Sequence, residues 1–201
     1  MITTPPTIII SLPRSGSSMT AGIFAQHGAW CGTCKNGDKN NPKGYYENLK
    51  VKNFMINNFG RIVHSGIPAE TGKFSREDFE KIVLDDGYPN DGTPWIVKFS
   101  AMYFPPWIEA FPKANVVCVR RNRQSIINSG KKSKMLTKEK PIDPHIEMMN
   151  WAAQEYNAIS INFENLINGE FSEIKLALQE AGLEPDEKII NNFVDPKLKH
   201  F

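Results

Sequence analysis

Residues Thr7-Ile8-Ile9-Ile10-Ser11 form a β-branched apolar run that breaks off into Leu12-Pro13-Arg14-Ser15-Gly16-Ser17-Ser18, and small and apolar residues then continue as a helix. A strand that ends in a Pro/Gly/Ser loop and feeds a helix aims several backbone N–H groups, and the positive end of a helix dipole, at one point. An anion, most often a phosphate, is the natural occupant of that point. Arg14 adds a fixed charge whose planar fork suits phosphate or sulfate. An ordinary strand-to-helix turn capped by Ser17 or Ser18 is the alternative. The packing of Arg, Gly and three serines into the five positions 14–18 favours the anion cradle.

The rest of the chain repeats the alternation. Strands are predicted near 7–11, 95–99, 115–119 and 158–162, with helical patterns between them. That order specifies an α/β fold with a mainly parallel central sheet flanked by helices on both faces. The length of 201 residues, with neither repeats nor a low-complexity stretch, predicts a single domain over 1–201. Residues 28–46 read as a long polar loop, punctuated by Asn36-Gly37, Asn40-Asn41-Pro42 and Lys43-Gly44. An amphipathic helix follows Glu47-Asn48, and Ser75-Arg76-Glu77-Asp78 caps a helix that ends near Asp86-Gly87. A helix from Pro144 to Tyr156 is expected to bury Ile146, Met149, Trp151 and Ala152.

Bulk properties exclude several classes. A hydrophobic content of 40% with 23% charged residues is that of an ordinary globular protein, and the net charge of +2 gives no case for nucleic acid or a membrane surface. The lysines of Lys131–Lys140 have no interleaved aromatics, so they predict an exposed mobile loop that could cover an anionic ligand. No run approaches the roughly 20 apolar residues of a membrane span. Met1–Pro6 lacks a basic leader region, so a cytoplasmic location is the default. The odd count of three cysteines argues against a disulfide framework. Cys31-Gly32-Thr33-Cys34 is a C-x-x-C, but a thioredoxin-type dithiol belongs between the first strand and its helix, and that place holds the anion loop. Zinc would need two further ligands, with only His27 and Cys118 as loose candidates. Structural thiols are the plainer reading, and a redox or metal role stays open.

Three further residues bear charge where a ligand could use it. Lys98 stands near the carboxyl end of the strand Trp95–Phe99, the end at which open α/β sheets bind ligands, although plain alternation to a solvated face is the simpler account. The strand Ala114–Val119 runs straight into Arg120-Arg121-Asn122-Arg123 and a helix beginning near Gln124, so that Arg121 and Ser129 could share one anion. Glu47 is the first carboxylate downstream of the Arg14 loop, and it is also an ordinary dipole-favoured first-turn residue.

A nucleoside-triphosphatase loop would read G-x-x-x-x-G-K-[ST]; the aligned Ser11–Ser18 has Ser11 for its first Gly and Ser17 for its Lys. No strand ends in a metal-holding Asp, which weighs against γ-phosphoryl transfer. A sulfuryl group carries less charge, so Arg, Lys and backbone N–H groups suffice to move it.

At these residues the chain resembles the sulfotransferases that use 3′-phosphoadenosine 5′-phosphosulfate (PAPS), in their bacterial-type branch. Leu12-Pro13-Arg14-Ser15-Gly16-Ser17-Ser18 matches the family loop that grips the 5′-phosphosulfate, which implies Pro13, Arg14, Ser15, Gly16, Ser17 and Ser18 as cofactor-binding residues. Arg121-Asn122 and Ser129 match the family's second motif and by resemblance hold the 3′-phosphate, although Arg123 and Ser125 replace its usual Pro and acid. Pro42-Lys43-Gly44-Tyr45-Tyr46-Glu47-Asn48, Ile96-Val97-Lys98, Ile161–Leu166 and the closing Val194–His200 also look like that branch. The resemblance implies a three-layer α/β/α fold of the P-loop nucleotide-hydrolase type. It implies metal-independent, in-line sulfuryl transfer to a hydroxyl or amine of a small-molecule, glycan or other acceptor. Glu47 would be the general base, with His64 as runner-up, and Lys98 and Arg14 would stabilise the developing charge. The small-phenol branch's His after the strand Lys is absent, since Phe99-Ser100-Ala101 follow Lys98, as is its late Gly-rich stretch. The competing expectations are a small-molecule or nucleotide kinase and a non-catalytic phosphonucleotide-binding protein.

Overall fold

The computed structural model describes residues 1–39, 41–62, 65–132 and 142–194. His64, most of the basic stretch Lys131–Lys140 and the tail after Val194 lie outside the described residues. The strands are β1 (Thr7–Ser11), β2 (Ile96–Ser100), β3 (Asn115–Arg120) and β4 (Ile159–Asn162). They form one all-parallel sheet in the order β2-β1-β3-β4. In register, Ile9 of β1 stands beside Lys98 of β2 and Val117 of β3.

The helices follow the alternation read from the sequence. They are α1 (Ser17–Gln26), α2 (Leu49–Phe59), α3 (Arg76–Asp85), α4 (Phe104–Ala110), α5 (Arg123–Lys132), α6 (Ile142–Glu155), α7 (Phe163–Ile167), α8 (Ser172–Glu180) and α9 (Glu187–Phe193). A 3₁₀ turn, Ala101–Tyr103, joins β2 to α4. Because strand side chains alternate between faces, Ile8, Ile10, Val97, Val116 and Cys118 enter a core shared with α2 to α6. Ile9, Ile96, Val117, Val119 and Ile161 enter a second core shared with α1 and α7 to α9. Burial on both sides explains why β1 and β3 read as unbroken apolar runs.

The predicted cap at Ser75 is present as a full capping box: its side chain accepts from Asp78 N while Asp78 accepts from Ser75 N. One expected core residue is corrected. Trp151 is 37% exposed. Helix α6 starts at Ile142, and Ile142, His145, Met149 and Ala152 are its buried positions. Trp151 lies off that stripe and rests edge-on against Phe104 and Tyr156.

The polar loop after α1 is pinned rather than loose. Trp30 bridges Trp95 beside the β2 edge, Cys34 bridges Asn48, and Asp38 bridges Asn41. Among the described residues, no helix is long and apolar enough to cross a membrane.

Candidate active site

Strand β1 is central, and the strands that follow it in sequence lie on opposite sides of it, β2 on one and β3 on the other. The carboxyl ends flanking such a reversal form the crevice in which open α/β sheets hold ligands. A cleft opens there. It is lined by Pro13, Arg14, Gly16, Ser17 and Ser18 of the loop after β1, and by Glu47, Lys98 and Arg121. Sequence positions far apart thus converge on one space.

The loop after β1 is held in an unusual shape. Arg14 has φ 72°, a left-handed conformation costly to a residue with a Cβ, and Gly16 has φ 89°. A Cβ on Gly16 would stand 2.1 Å from Cδ2 of Phe163, so only glycine fits. Gly16 is also the N-cap of α1 and has no side chain with which to cap it. The first turn of α1 therefore presents backbone donors that no capping side chain uses, with Ser17 and Ser18 on the cleft. Behind the cleft, the fully buried hydroxyls of Ser15 and Thr20 have no hydrogen-bond partner among the described residues. Buried orphaned hydroxyls are rare and mark a place where another group belongs.

The two arginines brace one another. Arg121 Nη1 donates to the carbonyl of Arg14 at 2.9 Å, which holds the left-handed turn in place. The Arg121 guanidinium lies 4.5 Å over the Phe163 ring, with Glu164 Oε1 3.9 Å from its Nε. Arg14 Nε donates to Ser129 Oγ at 3.0 Å. Ser129 and Ser15 are buried behind the cleft and do not line it. Burial lowers the pKa of both guanidiniums, as does their proximity in the case of Arg121.

Lys98 is not on a solvated face. Its side chain is 4% exposed, and Nζ bonds Glu47 Oε1 at 3.0 Å and Ser18 Oγ at 3.2 Å. Glu47 Oε2 pairs with Lys52 Nζ at 2.7 Å. Burial alone would raise the Glu47 pKa, but the charges of Lys98 and Lys52 and their hydrogen bonds outweigh it and hold the carboxyl down at about 2. Burial in turn pulls the Lys98 pKa down, against the opposing pull of Glu47.

A family model described as the Sulfotransferase family matches residues 5–184. The chain belongs to the sulfotransferase family. A search of curated proteins returned no match. Among solved structures, the sulfotransferase chain matches retinol dehydratase in complex with androsterone and inactive cofactor PAP. The TM-score is 0.51 at 10% identity, and the match covers 96% of this chain but only 64% of that one. That likeness concerns the fold.

The cleft has further walls. Asn41, Lys43 and Tyr45 come from the pinned loop, Phe163 from α7 and Phe193 from the end of α9. Lys43 Nζ donates to the Phe193 carbonyl and stands 4.9 Å over its ring, and Tyr46 meets that ring edge-on at 6.0 Å. Tyr45 and Lys43 sit inside the stretch Pro42–Asn48 that carried part of the resemblance, so a signal for them existed. Phe193 had none, since only tertiary packing brings α9 against α1 at Gly22. At the end of β2, Ser100 Oγ meets Nε2 of the buried His145 at 2.9 Å, a pairing with no sequence signal. Among the described residues, no three His, Cys, Asp or Glu side chains converge as a metal group.

Proposed function

We propose that the protein transfers the sulfuryl group of PAPS to a hydroxyl or amine of a small acceptor. One observation carries this reading: two cation-bearing strand-to-helix turns, remote in sequence, meet at one cleft that also holds the buried Lys98 paired with the partly exposed Glu47. A nucleotide phosphorylated at both ends needs two anion sites at a fixed separation, and a single phosphate does not. The residues present fit such a group. Gly16 leaves the first amides of α1 without a capping side chain, Ser15 and Thr20 have unused hydroxyls, and Arg14, Lys98 and Arg121 supply positive charge.

The nucleotide supplies the sulfuryl group and a stable phosphate leaving group. The chain does the rest. Arg14 and the backbone of Ser15–Ser18 would hold the 5′ end, Arg121 the 3′-phosphate, and Ser129 would fix the Arg14 guanidinium through its Nε. Lys98 would neutralise charge on the transferring group. Glu47 would take the acceptor's proton. With Lys98 bound to it, Glu47 is too weak a base; an anion that draws the Lys98 ammonium away raises the Glu47 pKa toward the ordinary carboxylate range. Lys98 thus couples the donor's arrival to the readiness of the base. The solved complex of retinol dehydratase with androsterone and PAP supports a small hydroxyl-bearing acceptor.

Calorimetry with 3′-phosphoadenosine 5′-phosphate (PAP) and with ATP, each with and without Mg²⁺, tests the donor. PAP is expected to bind without metal and more tightly than ATP, while Mg²⁺-dependent ATP binding without PAP binding would make the protein a kinase. Glu47→Gln tests the base. Turnover should fall by roughly 10²–10⁴-fold with PAP affinity nearly unchanged, and normal turnover would move the role to another residue. PAP binding with no transfer across a broad acceptor panel would leave a binding protein.

A further inference from the structure

The proposed reaction leaves the Cys31/Cys34 pair unused, although it is built into the support of Glu47. Cys34 Sγ donates to the Cys31 carbonyl at 3.2 Å, which folds the second thiol back over the first residue of the pair. Both residues are free and partly exposed, whereas Cys118 is buried. The turn between them is tightly seated. Gly32 has φ 68°, and a Cβ there would stand 1.9 Å from Asn48 Nδ2 and 2.2 Å from Asp86 Oδ2. Asp86 accepts from Thr33 N and from Asn48 Nδ2, each at 2.7 Å.

That seating leads directly to the base. Cys34 bridges Asn48, and Leu49 N donates to the Thr33 carbonyl at 2.8 Å. Asn48 caps α2 by accepting from Val51 N at 3.0 Å, and its chain neighbour is Glu47. A change in the span between Cys31 and Cys34 therefore moves the clamp on Asn48. The two thiols are also chemically unequal. The neighbouring Cys34 thiol lowers the Cys31 pKa against burial and Asp86, while the Cys31 thiol and burial raise the Cys34 pKa. This is the asymmetry of an attacking and a resolving thiol.

We propose that Cys31 and Cys34 form a dithiol–disulfide site that reacts with low-molecular-weight disulfides and displaces Glu47 from Lys98 when oxidised. The chemistry balances as thiol–disulfide exchange. Cys31, as thiolate, attacks one sulfur of the small disulfide; an S–S bond to Cys31 forms, the small S–S bond breaks, and one small thiol leaves with the proton that Cys31 gave up. Cys34 then attacks Cys31 Sγ, forms the internal disulfide and releases the second small thiol with its own proton. The dithiol is oxidised by two electrons, and the small disulfide is reduced by two.

Oxidised glutathione against the reduced full chain is the test, read by intact mass, peptide mapping and amide hydrogen exchange. The wild type should lose two hydrogens at a Cys31–Cys34 cystine and leave Cys118 untouched. Cys34→Ser should retain a glutathione adduct on Cys31, and Cys31→Ser should form its adduct on Cys34 about 10-fold more slowly. Oxidation should speed exchange at the Val51 and Lys52 amides by about 10-fold, because the Asn48 cap and the turn it starts are pulled from their seat. Equal adducts on both cysteines, or no internal cystine, would overturn the site; a cystine without faster exchange at 51–52 would overturn its hold on Glu47. Should a serine variant fail to fold, the wild-type mapping and exchange still decide both points. None of these readouts involves sulfuryl transfer, so the thiol site and the proposed reaction stand or fall separately.

Discussion

The turns that follow β1 and β3 look alike in sequence, each a strand running into a basic residue and then a helix, but they are built to different ends. After β1, the cap of α1 is Gly16, which has no side chain to offer the helix. After β3, Asn122 Oδ1 accepts from Gln124 N at 2.9 Å and from Ser125 N at 3.2 Å, so the first donors of α5 are already occupied. The first turn is thus a cradle of backbone donors. The second contributes a side chain, Arg121, whose guanidinium also holds the Arg14 carbonyl. A helix N-terminus is an anion site only where the chain declines to cap it. Arg123, standing where the resemblance has Pro, pairs with Asp143 of α6.

The sharpest way to break the comparison is Gly16→Ala. Its Cβ meets the Phe163 ring at 2.1 Å and its φ of 89° is left-handed, so the loop must shift. Thermal unfolding should show a loss of about 2–4 kcal/mol, and PAP binding should disappear from calorimetry. Retained PAP affinity would mean that the backbone cradle is not the anion site. Arg121→Ala comes next, with a loss of PAP affinity of about 10- to 100-fold, the value of a charged hydrogen bond. Arg121→Lys should recover only part of it, since an ammonium cannot donate to Arg14 and an anion with the same fixed fork. Full recovery by Lys would reduce Arg121 to charge alone.

How far the sequence carried this comparison depends on the kind of signal. Strands β1 and β3 were legible because burial on both faces leaves β-branched runs ended by breakers. Gly16 and Arg14 were legible because a special backbone shape demands few residue types. The packing of α6 was not: its apolar pattern includes Trp151, which stays 37% exposed, while the helix buries the polar His145, which finds Ser100 Oγ. Polar residues satisfied across the fold leave no periodic trace. The same holds for Phe193, and for Ser129 as the partner of Arg14, since each contact spans more than 100 residues or joins elements whose docking no local pattern encodes.

A smaller effect separates stability from binding at the second turn. Asn122→Ala removes the cap of α5 and should cost about 1 kcal/mol in urea unfolding. PAP affinity should stay within roughly twofold, because the donors that Asn122 occupies are not the ones that bind. A variant that bound PAP more tightly would show instead that these amides become a second cradle once the cap is gone.

The smallest effect is a pH dependence that belongs to the first turn, through the bond of Lys98 to Ser18. Glu47 is held at about 2 when folded, below the 4.5 of an ordinary glutamate, so folding favours its ionised form. Its contribution to stability is therefore complete above about pH 5 and is lost as the pH falls from 4.5 toward 2. Glu47 is partly exposed, and solvent screening limits the gain to roughly 0.2–1 kcal/mol. The measurement is urea unfolding of the wild type against Glu47→Gln, repeated from neutral pH down to acid. The stability difference between them should be constant near neutrality and shrink below pH 4.5, because Gln cannot lose a charge it never had. At low pH Glu47 is protonated, Lys98 lacks a carboxylate in both proteins, and that cost cancels between them. A difference that stayed flat throughout would place Glu47 in solvent and detach it from Lys98, and with it the coupling between donor binding and the base.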